Sequence, residues 1–267
     1  MSARDRGAKP LVETITQRGR RIEFARVAGL DASLPTLVFL HEGLGSLALW
    51  RDFPQRLAAA TSHPALVYSR YGYGYSTPLR EPRGVDFMHE EALVALPELL
   101  DALAIERPVL FGHSDGASIA LIHAARARRP VTALVVMAPH IRVEPFNLES
   151  IRQVRETFHT TDLRERLGRY HLDVEATFRG WNDIWLHPEF VHWDIAGMLP
   201  DIAVPVLAIQ GEQDPYGTME QIDGIARLAP RVQLLKLASC RHSPHRDQPE
   251  AVLTATVTFL REVRQHT

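Results

Sequence analysis

Gly112-His113-Ser114-Asp115-Gly116 stands between a short apolar run, Pro108-Val109-Leu110-Phe111, and an alanine-rich stretch over 117–127. The first reads as a buried strand and the second as a helix, which sets a G-x-S-x-G on a strand-to-helix turn. That is the pattern of a nucleophile elbow, where a serine sits on a sharp turn with its hydroxyl exposed beyond the strand. Glycines on either side permit the turn and a close approach of helix to strand. The free N–H groups and dipole of the following helix favour an oxyanion developing beside Ser114. An ordinary strand–loop–helix connection uses the same residue types. The reading therefore depends on the rest of the chain supplying an oxyanion donor upstream, then an acid and a histidine downstream.

With 267 residues and 45% apolar content, the chain can bury one large core with a small insertion. A formal charge of −2 gives no electrostatic case for nucleic acid or an anionic membrane surface. Residues 1–10 are polar and lack the apolar stretch of a signal peptide, and no run approaches transmembrane length. The single cysteine, Cys240, has no intramolecular partner. A cytoplasmic protein is expected.

Outward from the elbow, strands are expected at 12–17 and 21–27 (a hairpin on Gly19), 36–40, 65–69, 133–137, 204–210 and 232–237. Helices are expected near 49–60, 88–103 with a bend at Pro97, 219–228 and 249–263. The alternation predicts an α/β fold: a mostly parallel, eight-stranded, doubly wound sheet with ligands bound beyond the carboxyl ends of its strands. From 141 to 199 the rhythm changes to helix-like stretches at 148–158, 163–170 and 174–185. The expected organisation is a core of 1–140 and 200–267 with a helical cap inserted at 141–199.

Asp214 follows the apolar run ending at Gln210, the place for an acid that orients an imidazole and stabilises its charged form. Glu212 is its neighbour and competitor. His242 and His245 both follow the last strand. His242 belongs to the loop and is taken as the base, while His245 stands beside Asp247, which caps or opens the final helix. His113, inside the elbow, is expected to pack.

The order Ser114, Asp214, His242 resembles that of the α/β-hydrolase superfamily of serine hydrolases, in its branch of capped small esterases and C–C bond hydrolases. The resemblance covers nearly the whole chain. It rests on His41-Glu42-Gly43-Leu44-Gly45, Gly72-Tyr73-Gly74-Tyr75-Ser76, the elbow, and His242 spaced with Asp247 and Pro249. The chain departs from the family pattern at Glu42 and Arg241, where glycine is usual, and at Ser69 and Tyr71, where Asp and Arg are usual.

The resemblance implies an oxyanion hole of two backbone N–H groups, one from Asp115 and one from Gly43, with Leu44 the next choice. Glu42 reads either as a buried carboxylate paired with a histidine or as a polar group facing substrate. Trp181 and Trp185, four apart on one helix face, and Phe146 are candidate walls of an apolar acyl or aryl pocket. The expected activity is hydrolysis of a small-molecule carboxylic ester through an acyl-enzyme, with no cofactor or metal. The alternatives are C–C bond hydrolysis, with Arg152, Arg155 or Arg179 binding the substrate carboxylate, and a silent binding protein on the same fold. The sequence does not set the oligomeric state.

Overall fold

The computed structural model describes residues 11–265, so the polar stretch 1–10 lies outside the described residues. Strands β1 (Val12–Gln17) and β2 (Arg20–Val27) form the expected hairpin. Its two turn residues, Arg18 and Gly19, have φ of 52° and 73°, the two positive values of the turn whose twist matches paired strands. The other strands are β3 (Leu37–Leu40), β4 (Ala65–Tyr68), β5 (Val109–His113), β6 (Ala133–Met137), β7 (Val206–Gly211) and β8 (Val232–Leu237). They make one sheet in the order β1-β2-β4-β3-β5-β6-β7-β8, antiparallel at β1, β2 and β4 and parallel from β4 onward.

Every residue of β3 through β7 is buried. Continuous apolar runs are what a strand covered on both faces requires. Alternate residues then go to opposite layers. Leu37 and Phe39 pack with helices α1 (Phe53–Thr61) and α10 (Pro249–Gln265). Val38 and Leu40 pack on the other face with α4 (Asp115–Arg126) and α8 (Glu220–Leu228).

The single bent helix expected at 88–103 is instead α2 (Phe87–Glu90), a π turn over Glu91–Ala95 and α3 (Leu96–Ala102). Pro97 has no N–H to donate, and its ring crowds the carbonyl four residues back. The wider turn just before it relieves both problems.

Between β6 and β7 run α5 (Pro145–Thr160), α6 (Leu163–Gly168), α7 (Val174–Trp185) and two short 3-10 turns. The insertion is pinched at its base by an isolated bridge between Arg142 and Asp194. A short helix, α9 (Pro244–Asp247), precedes α10. No described helix is long and apolar enough to cross a membrane.

Candidate active site

The central strand β5 stops at His113, and Ser114 turns the chain with φ 53° and ψ −118°. A non-glycine residue held there costs about 1–3 kcal/mol, so the surroundings must enforce it. The Ser114 amide donates to the Met137 carbonyl at 2.9 Å, and α4 begins at the next residue. A Cβ on Gly112 would lie 2.4 Å from the Gly116 carbonyl oxygen, and one on Gly116 2.1 Å from that of Leu40. Only glycines let α4 start this close to β5 and β3.

Asp214 lies in the loop after β7 and His242 in the loop after β8. His242 Nδ1 is 2.8 Å from each Asp214 carboxylate oxygen, and His242 Nε2 is 3.0 Å from Ser114 Oγ. Asp214 also accepts from Gln210 Nε2 and the Tyr216 amide, both at 2.8 Å. Burial pushes the Asp214 carboxyl up. The His242 charge and hydrogen bond, with the Tyr216 amide, outweigh this and hold it below its ordinary 3.8. Burial pushes His242 down, but the charge and hydrogen bond of Asp214 hold it above 6.5. His140, with its ring centroid 6.1 Å from that of His242, is pushed down to about 4 by burial and by His242, so it stays neutral alongside.

On the other side of Ser114, the loop after β3 brings up Gly43 and Leu44. Among the described residues, the amides of Gly43 and Asp115 donate to no protein acceptor. Both residues line the same cavity as Ser114.

That cavity has a volume of about 140 Å³. Trp181 and Trp185 of α7 roof it, with Ile151 of α5, while Leu44, His140 and Tyr216 complete the walls. Glu42 borders it, yet its carboxylate turns toward His113 Nδ1 (3.4 Å) and Arg246 Nη2 (3.6 Å). It is thus both a wall of the cavity and a half-buried neighbour of a histidine. Phe146 requires a correction: it is 49% exposed on the first turn of α5 and does not reach the cavity.

His245 packs against Trp50, Phe53 and His113 away from the cavity, and Glu212 is exposed. His113 packs as expected. Asp247 accepts from the Arg241 amide at 2.8 Å and so braces the loop that carries His242.

Sequence reasoning missed two buried groups behind the loop after β3. Arg70 Nη2 donates to the carbonyls of His41 and Glu42, and His171, from the insertion, uses Nε2 on the Leu44 carbonyl. Backbone-gripping side chains leave no spacing signature, though an arginine inside the apolar 65–73 stretch was a visible anomaly.

The sequence pattern of the alpha/beta hydrolase family matches residues 37–255. The chain belongs to the alpha/beta hydrolase family. Within it, the chain is 23% identical over 265 residues to the sn-1-specific diacylglycerol lipase ABHD11 of Mus musculus, covering 86% of this chain and 82% of that one. It is 26% identical over 187 residues to the esterase YbfF of Escherichia coli, covering 62% and 72%. The proline iminopeptidase structure from Mycobacterium smegmatis superposes with a TM-score of 0.76 at 18% identity, over 95% of this chain and 98% of that one. This last likeness is one of fold. The relatives are hydrolases, and this alpha/beta hydrolase shares their framework.

Proposed function

We propose that the protein is a serine carboxylesterase for small esters with an apolar acyl or aryl group. One observation carries this: Asp214, His242 and Ser114 stand in a hydrogen-bonded line that ends in an apolar cavity bordered by two unengaged amides.

His242 Nε2 takes the Ser114 proton as Oγ attacks the ester carbonyl carbon. The tetrahedral oxygen is held by the Gly43 and Asp115 N–H groups, where one such donor is worth roughly 3 kcal/mol. On collapse the C–O bond breaks and the alcohol leaves with the proton from His242. Water then gives a proton to His242, attacks the acyl-enzyme and releases the acid, returning the proton to Ser114. Asp214 stays ionised and stabilises the imidazolium.

A cavity of about 140 Å³ is close to the volume known to hold benzene, which supports a short or flat acyl group. The three arginines considered for the C–C alternative are engaged elsewhere or face solvent: Arg152 pairs with Glu149, Arg155 with Asn182 and Asp183, and Arg179 is exposed. None of the three lines the cavity. The lone buried thiol of Cys240 suits a reducing compartment such as the cytoplasm.

The test is hydrolysis of p-nitrophenyl esters of increasing acyl length, wild type beside Ser114→Ala. Short acyl esters should turn over fastest, and the mutant should be silent. Turnover that survives in the mutant would overturn the reading.

A further inference from the structure

The loop after β3 turns its carbonyl groups away from the cavity, and side chains hold them there. The Glu42 carbonyl accepts from His41 Nδ1 at 2.7 Å and from Arg70 Nη2 at 3.2 Å, beside the Gly45 amide at 3.0 Å. The carbonyl of Glu42 and the N–H of Gly43 belong to one peptide unit. In a planar trans peptide they point in opposite directions. Gripping the Glu42 oxygen from behind therefore aims the Gly43 N–H at the cavity.

Arg70 also lies near the residue that carries the second donor. Its guanidinium also reaches the His41 carbonyl at 3.3 Å and lies 4.0 Å from Asp115 Oδ2. Asp115 is the residue whose amide is the other unengaged N–H at Ser114. The Arg70 amide donates to His41 Nε2 at 3.1 Å, which leaves the proton of that imidazole on Nδ1, where the Glu42 carbonyl takes it. Arg70 is fully buried, with its guanidinium carbon 4.6 Å from the centroid of the Tyr73 ring. Its position is fixed by packing as well as by charge.

We propose that Arg70 is a positioning residue for the oxyanion hole, holding the Glu42–Gly43 peptide from behind so that the Gly43 N–H faces Ser114. This rests on the serine hydrolase reading of Ser114 and adds the group that preorganises one of its two oxyanion donors. The three contacts converge on one guanidinium nitrogen, Nη2, while the flat, delocalised group behind it lies over the Tyr73 ring, a combination that a lysine ammonium would not reproduce. Preorganised donors act on the transition state more than on bound substrate. Loss of Arg70 should therefore appear in kcat rather than in KM.

The experiment compares wild type with Arg70→Met and Arg70→Lys, with all rates expressed per Ser114 titrated by a p-nitrophenyl alkylphosphonate. Thermal melts confirm that each variant is folded. An alkyl trifluoromethyl ketone serves as the transition-state mimic, its Ki read by competition against phosphonate labelling. Arg70→Met should lower kcat by about 10- to 100-fold with KM within about twofold, and Ki should rise by a similar factor. Arg70→Lys should fall between, and it carries the test if Arg70→Met does not fold. Variants that label fully and keep wild-type Ki and kcat overturn the role of Arg70. Wild-type protein that takes no phosphonate at Ser114 overturns the serine hydrolase reading itself.

Discussion

His113 donates from Nε2 to the backbone carbonyl of His242 at 2.7 Å, so the residue before Ser114 holds the loop that carries the facing imidazole. Its other nitrogen faces Glu42 Oε2 at 3.4 Å, and Arg246, just beyond that loop, approaches Oε1 at 3.6 Å. Glu42, where the family usually has glycine, thus ties together the loops after β3, β5 and β8. Burial raises its carboxyl. His113, which faces it, and then Arg246 outweigh this and hold it well below 4.5.

A carboxyl depressed on folding contributes stability that is fully present above its unfolded value and lost as pH falls through its folded one. Glu42→Gln should therefore melt below wild type, with the gap largest above pH 4.5 and closing as the medium is acidified below that. Thermal melts of both proteins across pH read it directly. A gap of the same size at every pH would show that the charge of Glu42 is not what matters.

Ser114→Ala and His242→Ala should each lower kcat by about 10⁴-fold or more with the fold intact. Asp214→Asn should lose less than Ser114→Ala, though still heavily, because the ring keeps a partner but not the charge. Single-turnover kinetics with far-UV circular dichroism on the same samples separate lost chemistry from lost structure. A mild His242→Ala beside a crippled His245→Ala would move the base to His245.

The acidic limb of kcat/KM should have its midpoint above 6.5, since His242 must be neutral to accept a proton and Asp214 outweighs burial to raise its pKa. Activity falls as pH drops through that value. Asp214→Asn removes the raising charge and should shift the limb toward lower pH. An unmoved limb in that variant would assign it to another group.

Trp181→Ala should enlarge the pocket and move the acyl-length optimum upward, at a stability loss of about 3–5 kcal/mol. Trp181→Phe, which keeps a ring under the roof, should shift the optimum less. Chain-length profiles beside urea unfolding of both variants check the two effects together. An unchanged profile in Trp181→Ala would remove this side chain from the acyl wall.

The sheet was legible because burial on both faces forces uninterrupted apolar strands, and the elbow because backbone contact at Gly112 and Gly116 forbids any side chain. Asp214 and His242 were readable from their place after β7 and β8, since the carboxyl ends of parallel strands converge on one edge. Trp181 and Trp185 shared a face by helical spacing, and that face proved to be the roof. Phe146 did not reach the cavity: an aromatic residue beside Pro145 carries no sign of which way the first turn of α5 points. Arg70 and His171 stayed hidden because their hydrogen-bond partners are backbone groups, which every residue has.

α7 is bolted to the body at several points. Thr177 Oγ1 donates to the Gly72 carbonyl at 2.8 Å and Trp185 Nε1 to Asp115 Oδ1 at 3.2 Å, while a Cβ on Gly43 would meet Trp181 Nε1 at 2.1 Å. α5 reaches the cavity through Ile151, stacks Phe158 on Phe178 of α7 at 3.7 Å, and donates from Ser150 Oγ to the Pro215 carbonyl beside Asp214 at 2.5 Å. Neither helix is therefore free to drift alone. A change along α7 is felt at the loops that hold Gly43 and Asp115, and a change along α5 is felt through Ser150 at the loop that holds Asp214. Reshaping the cavity through either helix carries a cost in the alignment of the groups beneath it.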